Sequence, residues 1–371
     1  MQRTIPFFNY QALFTPQEEE LTPVLLDVMR RGAFILQKDL REFEANLAKF
    51  VGAKYAFGVA NGTDALIIAL RAAGIQAGDE VILPSHTYIA TAAAVHFAGA
   101  TPVLVECGTD HLIDSTSIEA AITPKTRAIM PVQLNGRTSE MDAVQKIADA
   151  NGLLIIEDAA QALGSQYKGQ CAGTFGVAGT YSFYPAKVLG CFGDGGAVVT
   201  NDDAIAEKVS LLRDHGRNDD GLIVDWGLNS RLDNLQAAIL NFKLQTFPQA
   251  VERRREIARR YQAELSEISD LVLPPSPDSD PNHFDVYQNY EIESSYRDAL
   301  RDHLKKDGIG TLIQWGGKAV HQFKDLNFNI TLPFTEKMFE RCLMLPMNTS
   351  LSDDDIDYIC ASIRHFYRLA A

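Results

Sequence analysis

The sequence predicts an α/β protein in which helices cover both faces of a mostly parallel central sheet and a smaller α+β domain follows. The first observation is that apolar runs of strand length alternate with helical patterns through the N-terminal two thirds of the chain. The second is that this alternation stops after residue 240, where a long charged helix and a connector rich in Pro, Asp and Ser begin. We therefore predict a large domain over residues 1–250 and a small domain over residues 251–371, with roughly the first 30 residues packed on the small one.

Each predicted strand is a short apolar run, and each predicted helix has apolar residues at helical spacing. The strands are expected at 54–60, 80–85, 101–107, 126–134, 153–159, 177–183 and 195–201. The helices are expected at 63–74, 90–99, 140–152, 250–268 and 353–369. Thr63 is expected to cap the first of these helices and Gly74 to end it. In such sheets ligands bind beyond the carboxyl ends of the strands, so the residues that follow each strand are the candidates for a site.

Composition and charge narrow the class of protein. The chain has 371 residues, 46% of them hydrophobic, and a formal net charge of −14, which argues against a partner such as nucleic acid or a membrane surface but not against a small anion. Its five cysteines are widely spaced and form no CxxC pair, so neither a disulfide framework nor a metal site is predicted. The sequence has no signal-peptide pattern and no apolar run of the ~20 residues that a membrane helix needs, so a cytoplasmic location is expected.

The stretch VANGTDAL, residues 59–66, combines a strand end, a tight turn and a helix start. The first amides of a helix have no acceptor within the helix and bind phosphate well, and Gly62, Thr63 and Asp64 supply three of them. The Thr63 hydroxyl adds a further ligand. An ordinary capped helix is the alternative, and taken alone the stretch favours it.

The stretch LLIIEDAAQALG, residues 153–164, ends an apolar strand with two acids. A carboxylate at the end of a buried strand is costly without a partner, so Asp158 suits a cation such as a protonated ring nitrogen. The alternative is that Asp158 caps a following helix. Strand alternation should send Glu157 to the opposite face, and Gln161 lies near enough in sequence to reach the same ligand.

Three further candidate site residues lie at or beyond the ends of other predicted strands. Tyr88 can stack on a flat ring, although a core tyrosine is the alternative. Ser182 is a second candidate phosphate ligand. Lys187 lies among Pro, Ala, Val, Leu and Gly. Partial burial there would lower the pKa of its amine and make it a nucleophile, whereas the alternative is a surface lysine.

Together these residues match what pyridoxal phosphate requires. Its phosphate needs ligands, its pyridinium nitrogen a carboxylate, its ring an aromatic neighbour, and its aldehyde a lysine that forms a Schiff base. The sequence has neither a GxGxxG unit nor a GxSxG elbow, which argues against a dehydrogenase and a serine hydrolase.

The chain also resembles the DegT/DnrJ/EryC1/StrS sugar aminotransferases, a branch of the fold-type-I pyridoxal-phosphate enzymes. The resemblance lies in stretches that follow the family's order: GAFILQKDLREFE, NGTDAL, AGDEVILPSHTYIATA, AAITPKTRAIMPVQLNG, IEDAAQALGSQYKG, SFYPAKVLGCFGDGGAVVTND and NSRLDNLQAAIL. It implies a homodimer in which Asn229 reaches the cofactor phosphate of the neighbouring subunit. It also places Tyr184, Arg231 and His321 on the substrate side.

The resemblance favours transamination, because related sugar dehydratases have histidine at the position of Lys187. It implies that L-glutamate donates its amino group, through the pyridoxamine phosphate form of the cofactor, to a keto group of a dTDP- or UDP-linked deoxysugar. The motifs resemble the enzymes that act at sugar C3 more than those that act at C4, for amino-sugar and surface-polysaccharide biosynthesis. Amination at C4, a pyridoxal-phosphate-dependent sugar deaminase or dehydratase, and a non-enzymatic regulatory relative are the alternatives.

Several positions depart from the family pattern on the expected substrate side. Gln37, Asn135, Trp315, Gly316 and His86 stand where relatives commonly have other residues. These departures leave the identity of the sugar open.

Overall fold

The computed structural model describes residues 3–370, in which strands and helices alternate through the first two thirds. The strands are β1 (Tyr55–Val59), β2 (Glu80–Pro84), β3 (Thr101–Val105), β4 (Thr126–Ile129), β5 (Leu154–Asp158), β6 (Gln166–Tyr167), β7 (Gln170–Cys171), β8 (Ala178–Ser182), β9 (Gly196–Thr200), β10 (His283–Phe284), β11 (Tyr290–Glu293) and β12 (Cys342–Leu345). The α-helices are α1 (Tyr10–Phe14), α2 (Glu18–Arg31), α3 (Lys38–Val51), α4 (Gly62–Ala72), α5 (Ile89–Phe97), α6 (Ser115–Ala121), α7 (Met141–Asn151), α8 (Asp203–Arg213), α9 (Asn234–Leu244), α10 (Phe247–Leu265), α11 (Arg297–Lys306), α12 (Pro333–Arg341) and α13 (Asp353–Ala370).

The central sheet has seven strands in the order β1-β9-β8-β5-β4-β2-β3. Strand β9 is antiparallel to both of its neighbours, and the pairs from β8 to β3 are parallel. The prediction of a mostly parallel α/β sheet is therefore confirmed. The strand predicted over 126–134 ends at Ile129, because Pro131 has no amide to donate to a ladder.

Helices cover both faces of the sheet, and alternate residues of a strand divide between the faces. Ile156 of β5 belongs to an apolar core with α4, α5 and α8, whereas the preceding Ile155 packs with α6 and α7. Helices α3 and α9 cover the β1, β9 and β8 end of the sheet. The same alternation sends Asp158 towards α5, where Thr91 lies, and Glu157 to the other face.

The start of α4 differs from the prediction. Asn61, in extended conformation, is the N-cap, and its side-chain oxygen accepts a hydrogen bond from the Asp64 amide at 2.8 Å. Thr63 therefore lies inside the first turn, and the prediction that it caps the helix was wrong. Gly74, with φ +80°, lies just beyond the end of the helix, in the left-handed region that suits glycine.

The C-terminal part has its own apolar core, in which α10, α11 and α13 pack on the antiparallel pair β11–β12. Ile5 belongs to this core and pairs with Ile309, whereas α2 lies against α9 of the central part. Helix α10 continues across residue 250, so the division of domains at 250 stays a prediction. Among residues 3–370 no helix combines the length and the apolar character that crossing a bilayer requires.

Candidate active site

The candidate site lies at the carboxyl edge of the sheet. Asp158 ends β5 and Ser182 ends the neighbouring parallel strand β8, so both residues lie at one edge. Lys187 follows β8 in a turn closed by its amide, which donates to the Tyr184 carbonyl at 2.8 Å. The start of α4 reaches the same edge, because a Cβ added to Gly62 would come within 2.8 Å of the Ser182 Cβ.

Lys187 is half-buried and lines a small cavity with Gln161, Ser182 and Gln288. Burial lowers the pKa of its amine to about 8, although the negative charge of Asp158 acts to raise it. About a tenth of the amine is therefore neutral at pH 7, far more than for an ordinary lysine, and the neutral form is the nucleophile. The alternative of a solvated surface lysine does not fit this environment.

Asp158 is 4% exposed and is held from two sides. One carboxylate oxygen accepts from the Thr91 hydroxyl at 2.8 Å and the other from the Ala160 amide at 3.1 Å. Burial raises the pKa of Asp158, while these hydrogen bonds and the Lys187 charge oppose the rise. A turn rather than a helix follows Asp158, so it is not a helix cap. A buried carboxylate in this setting is suited to a cationic partner.

Glu157 shows the contrast between the two faces of β5. It is fully buried, and its oxygens accept from the Gln133 side chain at 2.8 Å and from the amides of Gly173, Phe175 and Gly176. These protein donors satisfy the buried carboxylate, so the burial of Glu157 is explained without a ligand. Asp158 has fewer donors.

The residues proposed for the phosphate form a narrow cradle. Asn61 occupies the Asp64 amide, so the prediction that this amide is free for a ligand was wrong. The amides of Gly62 and Thr63 precede the first helical hydrogen bond, and Gly62 lies against Ser182 at the end of β8. Because a side chain at Gly62 would clash with Ser182, glycine keeps these amides and the Ser182 hydroxyl close together. The cradle therefore fits a phosphate group.

Tyr88 and Gln161, the residues proposed to contact the ring, lie in different environments. Tyr88 is 56% exposed at the start of α5, and its ring lies 6.5 Å from that of Trp315. An exposed ring at this edge remains open to stacking on a ligand, and a core tyrosine is ruled out. Gln161 is fixed by its side-chain oxygen, which accepts from the Asn135 amide at 3.0 Å and from the Asn289 side chain at 3.2 Å.

The Gln288 side chain, which the sequence analysis did not identify, holds the loop that carries Lys187. Gln288 is 7% exposed, and its side-chain oxygen accepts from the Val188 amide at 2.8 Å while its nitrogen donates to the Ala186 carbonyl at 2.9 Å. These bonds hold the residues on both sides of Lys187. No local motif marks Gln288, because its partners are about a hundred positions earlier in the chain.

The residues predicted for the substrate side have partners within the chain. Arg231 donates to an Asp214 carboxylate oxygen at 2.8 Å. His321 is buried, with Nδ1 2.7 Å from the Ser85 hydroxyl and Nε2 3.0 Å from a Glu336 oxygen.

The two remaining residues of the prediction lie on the surface. Tyr184 is 50% exposed beside Tyr10, whose pKa is raised by burial and by the Tyr184 hydroxyl. The exposed Asn229 pairs through its backbone with Asp214. Their roles toward substrate and cofactor stay predictions.

A buried polar cluster includes two of the positions that depart from the family pattern, His86 and Asn135. The two ring nitrogens of His111 lie 3.1 Å from Glu291 and from Glu293, and the Asn135 side chain also donates to Glu291. Burial opposes protonation of His111, but the hydrogen bonds to the two carboxylates raise its pKa to about 9. Burial lowers the pKa of the adjacent His86 to about 4. His86, His111 and Glu291 form a possible metal-donor set, but an ion pair centred on His111 accounts for most of it.

Comparison with known sequences identifies the family. The model of the DegT/DnrJ/EryC1/StrS aminotransferase family matches residues 16–364. A pleiotropic regulatory protein of Geobacillus stearothermophilus is 40% identical over 98% of this chain and 99% of its own. A dTDP-3-amino-3,4,6-trideoxy-α-D-glucose transaminase of Streptomyces venezuelae is 43% identical over 84% of this chain and 82% of its own. A UDP-2-acetamido-2-deoxy-3-oxo-D-glucuronate aminotransferase of Pseudomonas aeruginosa is 39% identical over 91% and 93%.

Solved structures agree with the sequence comparison. S. venezuelae DesV, crystallised with a ketimine intermediate, has a TM-score of 0.94 at 38% identity and covers 98% of each chain. NtdA of Bacillus subtilis, solved with the cofactor PMP, has a TM-score of 0.91 at 29% identity, over 98% of this chain and 85% of its own. The fold is that of the fold-type-I pyridoxal-phosphate transferases, as predicted, and the protein is an aminotransferase.

The chain belongs to the DegT/DnrJ/EryC1/StrS aminotransferase family. The predicted resemblance is therefore confirmed. At the level of the family, transamination of nucleotide sugars and dependence on pyridoxal phosphate are confirmed as well.

Proposed function

We propose that this protein transfers the amino group of L-glutamate to the C3 keto group of a dTDP- or UDP-linked deoxysugar, giving 2-oxoglutarate and an amino sugar. The observation that carries the proposal is the placement of Lys187, Asp158, Ser182 and Gly62 at one sheet edge. Relatives that aminate C3 of such sugars support the choice of carbon and nucleotide. Regulation without catalysis, suggested by one relative's name, gives no reason for a half-buried amine beside a buried carboxylate.

The residues act on the cofactor in separate ways. Pyridoxal phosphate, when bound, supplies an electron-withdrawing ring that makes the carbon next to an amine acidic. Gly62, Thr63 and Ser182 would hold its phosphate, Asp158 would keep its ring nitrogen protonated, and Tyr88 and Gln161 would contact the ring. Lys187 would hold the aldehyde covalently and, once displaced by the donor amine, would move a proton between substrate and cofactor carbon atoms.

The test of the proposed function is a screen of dTDP- and UDP-linked 3-keto and 4-keto deoxysugars with L-glutamate, read by mass. We expect replacement of one keto oxygen by an amine in the 3-keto series, with one 2-oxoglutarate per amino sugar. Faster turnover of the 4-keto series would instead show that the enzyme aminates C4. Release of ammonia in place of 2-oxoglutarate would make the protein a deaminase or dehydratase.

A shared site is the second part of the proposal. Leu222, Ile223, Val224 and Trp226 are 57–88% exposed and immediately precede Asn229. An apolar segment of this kind is expected to be covered by another chain. We infer a homodimer in which this segment packs on the neighbouring subunit and brings Asn229 to its cofactor phosphate.

The cellular location is a further part of the proposal. The five cysteines are unpaired, which supports a cytoplasmic location.

Mixed dimers test the shared site. Asn229→Ala alone is expected to raise the cofactor concentration for half-saturation at least ~10-fold, because one phosphate hydrogen bond is lost. When Lys187→Ala and Asn229→Ala chains are combined, a shared arrangement creates one intact site per mixed dimer. At a cofactor concentration too low to load Asn229→Ala, the activity of the mixture should therefore rise above that of either parent. The control is a mixed dimer of one Lys187→Ala chain and one Asp158→Asn chain. Each site takes its Lys187 and its Asp158 from the same chain, so every site of this dimer lacks one of them. No gain from the first mixture would contradict the shared site.

The lowered pKa of Lys187 sets the pH dependence of cofactor uptake by the apoprotein. The neutral amine attacks the aldehyde, so the rate constant should rise ~10-fold per pH unit below the pKa and level off above about 8. An ordinary lysine, with its higher pKa, would give a rate that still rises at pH 10. Stopped-flow absorbance across this pH range distinguishes the two, and a continued rise would contradict the environment described for Lys187.

A further inference from the structure

Helix α10 carries a cluster of arginines, one of which is electrostatically distinct. Arg253, Arg255, Arg259 and Arg260 each lie within ion-pair distance of at least one carboxylate. Arg254 has no carboxylate partner among residues 3–370, although only 6% of its surface is exposed. Burial lowers the pKa of Arg254 to about 10, and the guanidinium stays charged at neutral pH.

The hydrogen bonds of Arg254 use only one of its nitrogens. Nη1 donates to the carbonyls of Tyr287, Gln288 and Met347 at 2.9, 3.1 and 2.9 Å. Nε is buried and has no acceptor among the described residues. A buried cation that has no carboxylate partner and an unused donor is stabilised when an anion binds it.

Arg254 and Lys187, the candidate nucleophile, line the same cavity. Its wall includes Lys187, Arg254, Asn289 and Asn348, with Phe7 and Asn9 from the N-terminal segment. The Asn348 side chain donates to the Phe7 carbonyl at 3.3 Å, which ties the N-terminal segment to this wall. Lys187 and Arg254 therefore border one cavity, together with the N-terminal segment.

We propose that Arg254 binds the α-carboxylate of the amino donor. This proposal rests on the proposed transamination. In an α-amino acid the carboxylate and the reacting amine share one carbon, so the group that binds the carboxylate must line the cavity of the lysine. The diphosphate of a nucleotide sugar is separated from C3 by the sugar ring, which places it farther from that lysine. A planar guanidinium with free donors matches a carboxylate in charge and geometry.

The test compares L-glutamate with its 1-carboxamide, which keeps the amine but replaces the α-carboxylate. The holoenzyme reacts with each donor in a single turnover, and the reaction is monitored by the loss of the cofactor's visible absorbance. We expect the wild type to prefer glutamate by about 100-fold, and Arg254→Met to reduce this preference to within about 3-fold of unity. Arg255→Met is the matched control. Arg255 is also buried on the same helix, and its Nε likewise has no acceptor among the described residues. It pairs with Asp278 and does not line the cavity, so its variant should keep the preference.

Two further measurements separate donor binding from a structural role. Calorimetric titration of the holoenzyme with glutarate, which has carboxylates but no amine, should give binding to wild type and Arg255→Met and none to Arg254→Met. The reaction of the aminated enzyme with keto sugar should change less than about 3-fold in Arg254→Met. If Arg254→Met does not fold, Arg254→Lys replaces it, with the preference for glutamate expected to fall about 10-fold.

The outcomes distinguish this proposal from the proposed function. A wild-type holoenzyme whose absorbance L-glutamate does not change would contradict transamination itself. A wild type that responds to glutamate, with an Arg254 variant that keeps the preference over the carboxamide or loses both half-reactions equally, would contradict only the role of Arg254.

Discussion

Replacing Lys187 by alanine is expected to lower the rate of amino transfer by at least about 10³-fold, because the chain loses its covalent link to the cofactor and its proton carrier together. The fold should not suffer, since the half-buried amine has few partners and its burial is costly. We therefore expect a melting temperature equal to or above that of wild type. Steady-state assays with thermal unfolding measure both quantities.

Lys187→Arg is the matched variant for this prediction. It keeps the positive charge near Asp158, but a guanidinium stays protonated and cannot attack an aldehyde. It should be as inactive as Lys187→Ala. Turnover near the wild-type rate in either variant would exclude Lys187 from the chemistry.

Replacing Asp158 by asparagine is the second large effect. The amide is nearly the same size and keeps an oxygen for the Thr91 hydroxyl, but it has no charge to hold a protonated ring nitrogen. We expect activity to fall by about 10²-fold or more. Stability should change by less than about 3 kcal/mol, because the amide nitrogen cannot accept from the Ala160 amide, whereas removal of a buried charge offsets that loss.

Glu157→Gln is the control on the same strand. Its carboxylate accepts from protein donors on the opposite face, so the variant should lose stability by about 1–3 kcal/mol while each folded molecule keeps its activity. An Asp158→Asn enzyme with near-wild-type turnover, or a Glu157→Gln enzyme that folds but is inactive, would reverse the assignment of the two acids.

The sequence predicted the parts of the site that depend on local pattern. Asp158 and Ser182 lie at strand ends because apolar runs define those strands, and parallel pairing then brings their ends to one edge. The cap of α4 was misjudged by two positions. Both Asn61 and Thr63 are good caps, and only the backbone conformation around Asn61 decides between them.

The rest of the site depends on contacts between distant segments. Gln288 braces the Lys187 loop, and Arg254 reaches the same cavity from another helix, yet neither belongs to a local motif. The ion pair of His111 with Glu291 joins a loop of the large part to a strand of the small one. Such pairs depend on how the two apolar cores pack together. The hydrophobic periodicity of a single segment does not encode that packing.

The most direct test of the central claim is borohydride reduction of the holoenzyme followed by peptide mapping. We predict one stable cofactor adduct per chain, on Nζ of Lys187. Lys243 is the internal comparison. Burial also lowers its pKa to about 8, but its amine donates to the Gly190 carbonyl in a different cavity. An adduct on Lys243, on another lysine, or on none would contradict the account.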